Sequence, residues 1–289
     1  MAYTGTGTQQ DPYLVSTFAD FLTCIAQTNA YVKITADIDA SQEEAYQSAI
    51  TSPLSLNAKK IYADTLLKIE NFAVTGSNVF YANLSGQTEI ENINFRNIVF
   101  KQTANSYLFR KSAISNVQKP IFRNCQFSFV VSAGSYYTVI AQETIFQKCA
   151  VYAEFQYTSY STSANLDTIA GSVTASDSIF EFENLLINRQ AGIAGKLTYC
   201  TLKLKMQTNN LASNPSFTLF SSSDSHDNIL IIQMYNTNNG NLLSASYSVN
   251  GLTAVDSTVS GSDFTGDVFT LTTAQIQSEE YLRSINFIP

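Results

Sequence analysis

Phe122-Arg123-Asn124-Cys125-Gln126-Phe127-Ser128-Phe129 is the stretch that decides the fold. Its apolar and polar residues alternate at close to period two, the mark of a strand with one face buried. The phrase returns as Phe95-Arg96-Asn97-Ile98-Val99-Phe100, Phe146-Gln147-Lys148-Cys149-Ala150-Val151, Phe182-Glu183-Asn184-Leu185-Leu186-Ile187 and Leu197-Thr198-Tyr199-Cys200-Thr201-Leu202. Three of the four cysteines, Cys125, Cys149 and Cys200, hold one position in it. From Ile98 through Cys125 to Cys149 the steps are 27 and 24 residues, but Cys149 to Leu185 is 36 and Leu185 to Cys200 only 15. The last two together span 51 residues, or two repeats. The spacing predicts an inserted loop at residues 156–167 and a displaced register around Leu185.

A second phrase, a short apolar pair followed by small or polar residues, lies between the first ones. Anchored on Phe80, Phe109, Ile140, Ile169, Ile193, Phe220 and Leu243, it recurs at steps of 29, 31, 29, 24, 27 and 23. A coil of that length buries its apolar face only against the coils above and below, so several must stack before a core exists. The expected fold is all-β, a β-solenoid. Variable steps fit a right-handed parallel β-helix, whose turns bulge freely, better than the strict short repeats of left-handed hexapeptide helices. Phe95, Phe122, Phe146 and the three cysteines are expected to point inward, the thiols serving as small buried hydrophobes.

Composition agrees. Of 289 residues only 13% are charged, against about 25% in ordinary domains. Ser, Thr, Asn and Gln make up more than a third of the chain, and aromatic residues are Tyr and Phe with no Trp. Such a surface suits strands and turns better than helices. A net charge of −7 weighs against a nucleic-acid binder held by phosphate contacts. The aliphatic run at residues 229–232 is far shorter than the roughly 18 residues of a membrane span, so no membrane insertion is expected. The first residues have neither a basic start nor an apolar stretch, and no secretory signal is expected. The cysteines show no CxxC pair; neither a metal site, a cofactor nor a disulfide framework is expected.

The ends read differently from the middle. Thr17-Phe18-Ala19-Asp20 has capping-box form, and Phe18, Phe21, Leu22 and Ile25 follow helical spacing. Residues 31–39 alternate like a strand. Thr273-Ala274-Gln275-Ile276 opens a helical stretch running through Leu282. Residues 1–40 are expected to form an N-terminal cap and first strand, 41–260 the coils and 261–289 a C-terminal cap, since an uncovered coil exposes strand edges and core side chains.

Gly5-Thr6-Gly7-Thr8, followed by Asp11-Pro12-Tyr13 and the capping helix, resembles the opening of bacteriophage and bacterial-surface right-handed parallel β-helix proteins. Leu271-Thr272-Thr273-Ala274-Gln275-Ile276, Tyr281-Leu282 and Ile285-Asn286-Phe287 are similar to their closing segment, with Asn286 where Gly is usual. The resemblance covers both ends and the coil grammar between them, and its motifs specify architecture rather than chemistry. It implies a structural or adhesive virion protein: a head or tail spike, a fibre or a capsid decoration. Its partners would be other virion proteins or host-surface glycan, in a homo-oligomer. The missing secretory signal fits a virion protein assembled in the host cytoplasm better than a bacterial surface adhesin. The alternative from another class is a glycan-cleaving tailspike depolymerase.

An enzyme would need a site. Glu181 and Glu183 flank Phe182, which puts both carboxylates on one strand face about 6.6 Å apart, inside the range of glycosidase carboxylate pairs. Glu89 and Glu91 repeat the arrangement around Ile90, as an ordinary solvated strand face does. No compact acidic cluster stands beside Arg189 for a calcium-dependent lyase. Asp256, Asp263 and Asp267 are irregularly spaced, and Asp224, His226 and Asp227 contain the only histidine. Solvated turns are the simpler reading of both groups, and no catalytic site is expected. Residues 96–123 hold six basic residues and no acid, while residues 206–282 hold seven acids and no base, so the two poles of a solenoid are expected to differ in sign. Tyr136, Tyr137, Tyr152, Tyr157 and Tyr160 cluster around coil turns and form the expected binding surface, since tyrosines both stack on sugars and anchor protein contacts.

Overall fold

Parallel strands stack in register from coil to coil, and three such ladders define the molecule. The structure is a computed structural model that describes residues 3–42, 54–74, 78–82, 87–102, 106–111, 118–133, 138–156, 170–187, 190–208, 216–220, 227–235, 252–256 and 267–287. Along the first face the parallel ladder runs Val32, Ile61, Ile90, Phe122, Phe146, Ala175, Leu197. Along the second it runs Ile69, Phe95, Phe127, Val151, Phe180, Leu202, Leu230. The third joins Leu54, Phe80, Phe109, Ala141, Ala170, Ile193 and Phe220. This is the parallel β-helix that the repeats predict. The third face follows the expected anchors, shifted by one residue at Ile140 and Ile169, and Leu243 lies outside the described residues. Parallel pairing begins at Tyr13–Val15 and continues to Asp267–Leu271.

One corner explains the sequence phrase. Asn92, Asn124, Lys148, Asp177, Tyr199 and Asp227 all have φ between 50° and 60°, a left-handed conformation that Asn and Asp tolerate best among residues with a side chain. Each turns the chain from the first face to the second and is followed by a buried residue: Ile93, Cys125, Cys149, Ser178, Cys200 and Asn228. The cysteines therefore do share one inward column, but its other members are Ile93, Ser178 and Asn228, not Ile98 and Leu185. Phe95-Arg96-Asn97-Ile98 and Phe182-Glu183-Asn184-Leu185 belong to the second face, where Ile98 pairs with Phe129 and Leu185 with Met206 after a register shift. A corner and a bulge pose the same problem of returning the chain to an inward side chain after one extra residue, so both use the same residue types. With Ser178 in place, Cys149 lies 29 residues before it, an ordinary coil. Residues 157–167, where an inserted loop is expected, lie outside the described residues.

Side-chain ladders tie the coils at these turns. Asn124 donates to the Asn92 side chain at 2.7 Å, and Asn92 to the Ala63 carbonyl at 2.9 Å. Asn97 donates to Asn71 at 3.1 Å and Asn71 to the Asp39 carboxylate at 2.8 Å. Ser178 Oγ and Asn228 Oδ1 accept from the backbone N–H of Cys149 and Cys200. The buried Ser178 and Asn228 thus find partners on the neighbouring coil, as burial demands. Inside, the rings of Phe95 and Phe127 stack at 5.3 Å and those of Phe122 and Phe146 at 5.5 Å.

Helix α1 (Phe18–Ile25) starts where the capping signal lies: Thr17 Oγ1 accepts from the Asp20 N–H and donates to its carboxylate. It buries Phe18, Phe21, Cys24 and Ile25 against the core, with Leu22 partly buried. The Gly-Thr-Gly-Thr turn before it needs its glycines. Gly5 and Gly7 have φ of 92° and 75°, and a Cβ would meet the Pro12 carbonyl at 2.0 Å or the Tyr13 ring at 2.4 Å. At the other end the single helix expected through Leu282 is two, α2 (Thr273–Gln277) with a complete Thr272/Gln275 capping box and α3 (Glu279–Ser284) capped by Ser278. Ser278 is extended, so the chain bends between them.

Two substitutions test this architecture. Phe122→Ala, which empties a fully buried ladder position, is expected to cost about 3–5 kcal/mol in denaturant unfolding. Lys148 is exposed with φ 55°. Lys148→Asn, one coil beyond Asn124, is expected to raise stability by about 0.5–1 kcal/mol, because Asn accepts this backbone and extends the amide ladder.

Candidate functional site

The outer side of the second face carries the chemistry. Outward positions pair across coils as Tyr152, Glu181, Lys203 and Ile231, with Glu154 and Glu183 on the neighbouring column ahead of Lys205 and Gln233. Glu181 and Glu183 do share one face, but each has a lysine on the next coil: Lys203 Nζ is 3.7 Å from Glu181, and Lys205 donates to Glu183. Glu91 likewise meets Lys60 at 2.7 Å. Parallel in-register stacking places acids and bases of adjacent coils side by side, so the charges form ladders along the axis. Tyr152 sits within this row, half-buried; burial first, then Glu183, Glu154 and Glu181, hold its hydroxyl above the usual tyrosine range.

Strand Ile229–Tyr235 departs from the pattern. Leu230 and Ile232 point into the solenoid, yet the outward Ile231 and Gln233 are also buried, at 5% and 2% exposure. The cover is the C-terminal segment. Ile231 joins Leu271, Ile276, Leu282 and Phe287 in a second apolar cluster, with Ile229, Phe269, Tyr281 and Ile285 packed on it. The C-terminal helices therefore clasp the outer side of strand Ile229–Tyr235. Ile276 and Leu282 are the apolar points of two short helices, and burying them needs an apolar strip, which Ile229, Ile231 and Phe269 supply.

Between clasp and face lies a cleft of about 580 Å³. Its floor holds Ile179, Glu181, Lys203, Lys205, Ile231 and Gln233; Ile276, Glu279, Leu282 and Arg283 form the opposite wall. Arg283 Nη2 holds the Glu279 carboxylate at 2.6 Å. That hydrogen bond first, then the charge of Arg283, keeps the Glu279 carboxyl below its ordinary range. Every cation on the cleft has a carboxylate beside it. Gln233 is different: neither its amide nitrogen nor its amide oxygen has a hydrogen-bond partner.

The folding back of the clasp also revises the charge map. Glu279 lies across the cleft from Lys203, so part of the acidic late segment sits against a basic coil and not at the far pole. Of the tyrosines expected to bind, Tyr152 is on the outer face, while Tyr136, Tyr137, Tyr157 and Tyr160 lie outside the described residues. So do Arg189, Asp224, His226 and Asp263. Asp227 is a left-handed corner residue, and Asp256 and Asp267 are strand residues of adjacent coils. Among the described residues no three His, Cys, Asp or Glu side chains cluster as metal ligands. The residues that sequence reasoning missed are Gln233 and the clasp contacts. The signal was Ile229-Leu230-Ile231-Ile232, four apolar residues in a row on a strand that elsewhere alternates, which is how a strand covered on both faces reads.

No family model matches the chain, and neither a curated protein nor a solved structure does.

The four thiols are buried and unlinked. Burial, with Asp20 adding to it, pushes the Cys24 thiol up to about 11. Burial likewise raises Cys200 to about 11 and lifts Cys125. A raised thiol keeps its proton in the folded chain while the unfolded chain loses it near pH 9, so stability is intact below about pH 9 and falls between there and about pH 11. Alkaline denaturation should follow this window, and Cys200→Ala should flatten its slope. Native protein should leave a thiol reagent unconsumed at neutral pH, and unfolding should release all four thiols to it.

Proposed function

We propose that this β-helix is a non-catalytic structural or adhesive protein of a virion, a spike, fibre or capsid decoration, that works by binding other virion proteins or host-surface glycan as a homo-oligomer. The observation that carries the reading is the pairing of its candidate acids. Glu181, Glu183 and Glu91 each have a lysine one coil away. A carboxylate held in an ion pair is turned to its lysine along the solenoid axis, whereas glycoside cleavage needs two carboxyl groups free to face the sugar across the scissile bond. The same ladders give the outer face a neutral, polar, regularly spaced texture suited to contact. The opening and closing segments that resemble phage and bacterial-surface β-helices support a structural or adhesive role, with a bacterial surface adhesin as the alternative to the virion.

The test joins assembly and chemistry. Light scattering and pull-down with particles lacking the protein should show self-association or docking, weakened by salt because exposed charges are screened over about 10 Å at 0.1 M. Incubation with capsule or cell-wall glycans should release no oligosaccharide. A strict monomer with no affinity for particles or cells would refute the reading. Release of oligosaccharide that Glu181→Gln or Glu183→Gln abolishes would replace it with the depolymerase.

A further inference from the structure

The cleft under the C-terminal clasp has the composition of a ligand site, and Gln233 is its most telling member. Its side chain is 98% removed from solvent, by a 2% exposure, and both amide atoms lack partners. A buried polar atom left unsatisfied destabilises the fold, and here donor and acceptor are both idle. Leu at this position, the residue type at Leu202 and Leu230 on the inner side, would carry no such cost. Thr88 and Thr144 also bury an unpartnered hydroxyl, but neither lines the cleft; Gln233 does, and a group that enters there can pair with both of its amide atoms.

The surroundings restrict what that is. An idle N–H donor beside an idle carbonyl acceptor is answered by one group that offers both, and a secondary amide does so. Charges around it come in pairs, Lys203 with Glu181, Lys205 with Glu183 and Arg283 with Glu279. Such a lining offers donors and acceptors to hydroxyl groups without calling for a net charge on the ligand. The Lys203–Glu181 pair is open at 3.7 Å, with side chains 46% and 37% exposed, and is the one most readily parted. Ile179, 45% exposed at the rim, and Ile231 with Leu282 inside give apolar surface for a methyl group and the CH face of a ring. The volume suits a small ligand, since such pockets span about 300–1,000 Å³.

We infer that the cleft between the outer second face and the C-terminal helices binds an uncharged N-acetylated sugar, its acetamido group paired with Gln233 and its hydroxyls with the Lys203–Glu181 row. The inference rests on the reading of the protein as a surface binder and names the chemistry that it would recognise. Entry requires the clasp to lift, because the Gln233 amide is covered. Helices of five and six residues, held by Ile276 and Leu282, make a small lid.

The experiment is saturation-transfer NMR with titration calorimetry on the full chain, using N,N′-diacetylchitobiose as probe and cellobiose, which lacks the acetamido groups, as control. Chitobiose should bind with its acetyl methyls the most saturated, and cellobiose about tenfold or more weaker. Gln233→Leu should abolish the preference while its melting temperature stays the same or rises. Should that variant fail to fold, Ile179→Asn alters only the exposed rim and should weaken chitobiose by several-fold. Equal binding of the two disaccharides, no binding of either at millimolar concentration, or unchanged binding in Gln233→Leu or Ile179→Asn would overturn the inference. Particle or cell binding measured beside it separates the two claims: binding retained in Gln233→Leu with no sugar bound sinks the cleft alone, whereas loss of particle and cell binding in the unaltered chain sinks the adhesive reading.

Discussion

Every coil of this molecule depends on the next one for its burial. A single turn of the solenoid presents only a few apolar side chains, and they leave water only by lying against their counterparts above and below. In-register parallel pairing follows, because a slip of one residue would turn the inward ladder outward. The left-handed corner residues, the amide ladders and the cysteine column all serve that register. Asn92 and Asn124 bond one another across coils, and the small buried residues at 125, 149, 178, 200 and 228 let the corner close tightly enough for the adjoining phenylalanines to meet.

The same requirement organises the exterior. Once inner residues are stacked, outer ones are stacked too, and a strand bearing two acids beside a strand bearing two lysines gives two ion pairs. Exposed pairs are worth about 0–1 kcal/mol each, so they add little to stability. Their effect is on chemistry: a carboxylate pair that looks like a glycosidase couple in one strand becomes, with its neighbour in place, a neutral ladder. The strand that departs from this rule, Ile229–Tyr235, is where the outer face is apolar and where the clasp lands.

Much of the architecture was legible in the sequence. Period-two alternation and the recurring phrase carried the coils and inward residues, the capping box at Thr17 and the helical spacing carried the ends, and the third-face anchors fell within one residue of their ladder. Two things were hidden. A corner and a bulge share the same grammar, so Ile98 and Leu185 were aligned with cysteines that they never meet; only pairing across coils separates the cases. Gln233 was hidden because its significance arises from residues some fifty positions later in the chain. A glutamine after four apolar residues reads as a strand end until Ile276 and Leu282 are folded over it. Of the five tyrosines expected to bind, only Tyr152 stands on the described outer face, where burial and three carboxylates raise its hydroxyl.

The lateral position of the clasp has a mechanical consequence. Hydrogen bonds between coils run along the solenoid axis, so tension on the axis pulls directly on the joints between turns, and an end turn held by one neighbour is the first to part. The C-terminal segment crosses those joints from outside. Through Ile276, Leu282 and Phe287 it grips the last turns together, much as a strap holds a stack, and tension must strip this apolar contact before those joints can open. The opposite end has no such strap among the described residues; its strength is that of α1, whose Phe18 ring lies on Phe72 and which resists fraying by burial rather than by bridging.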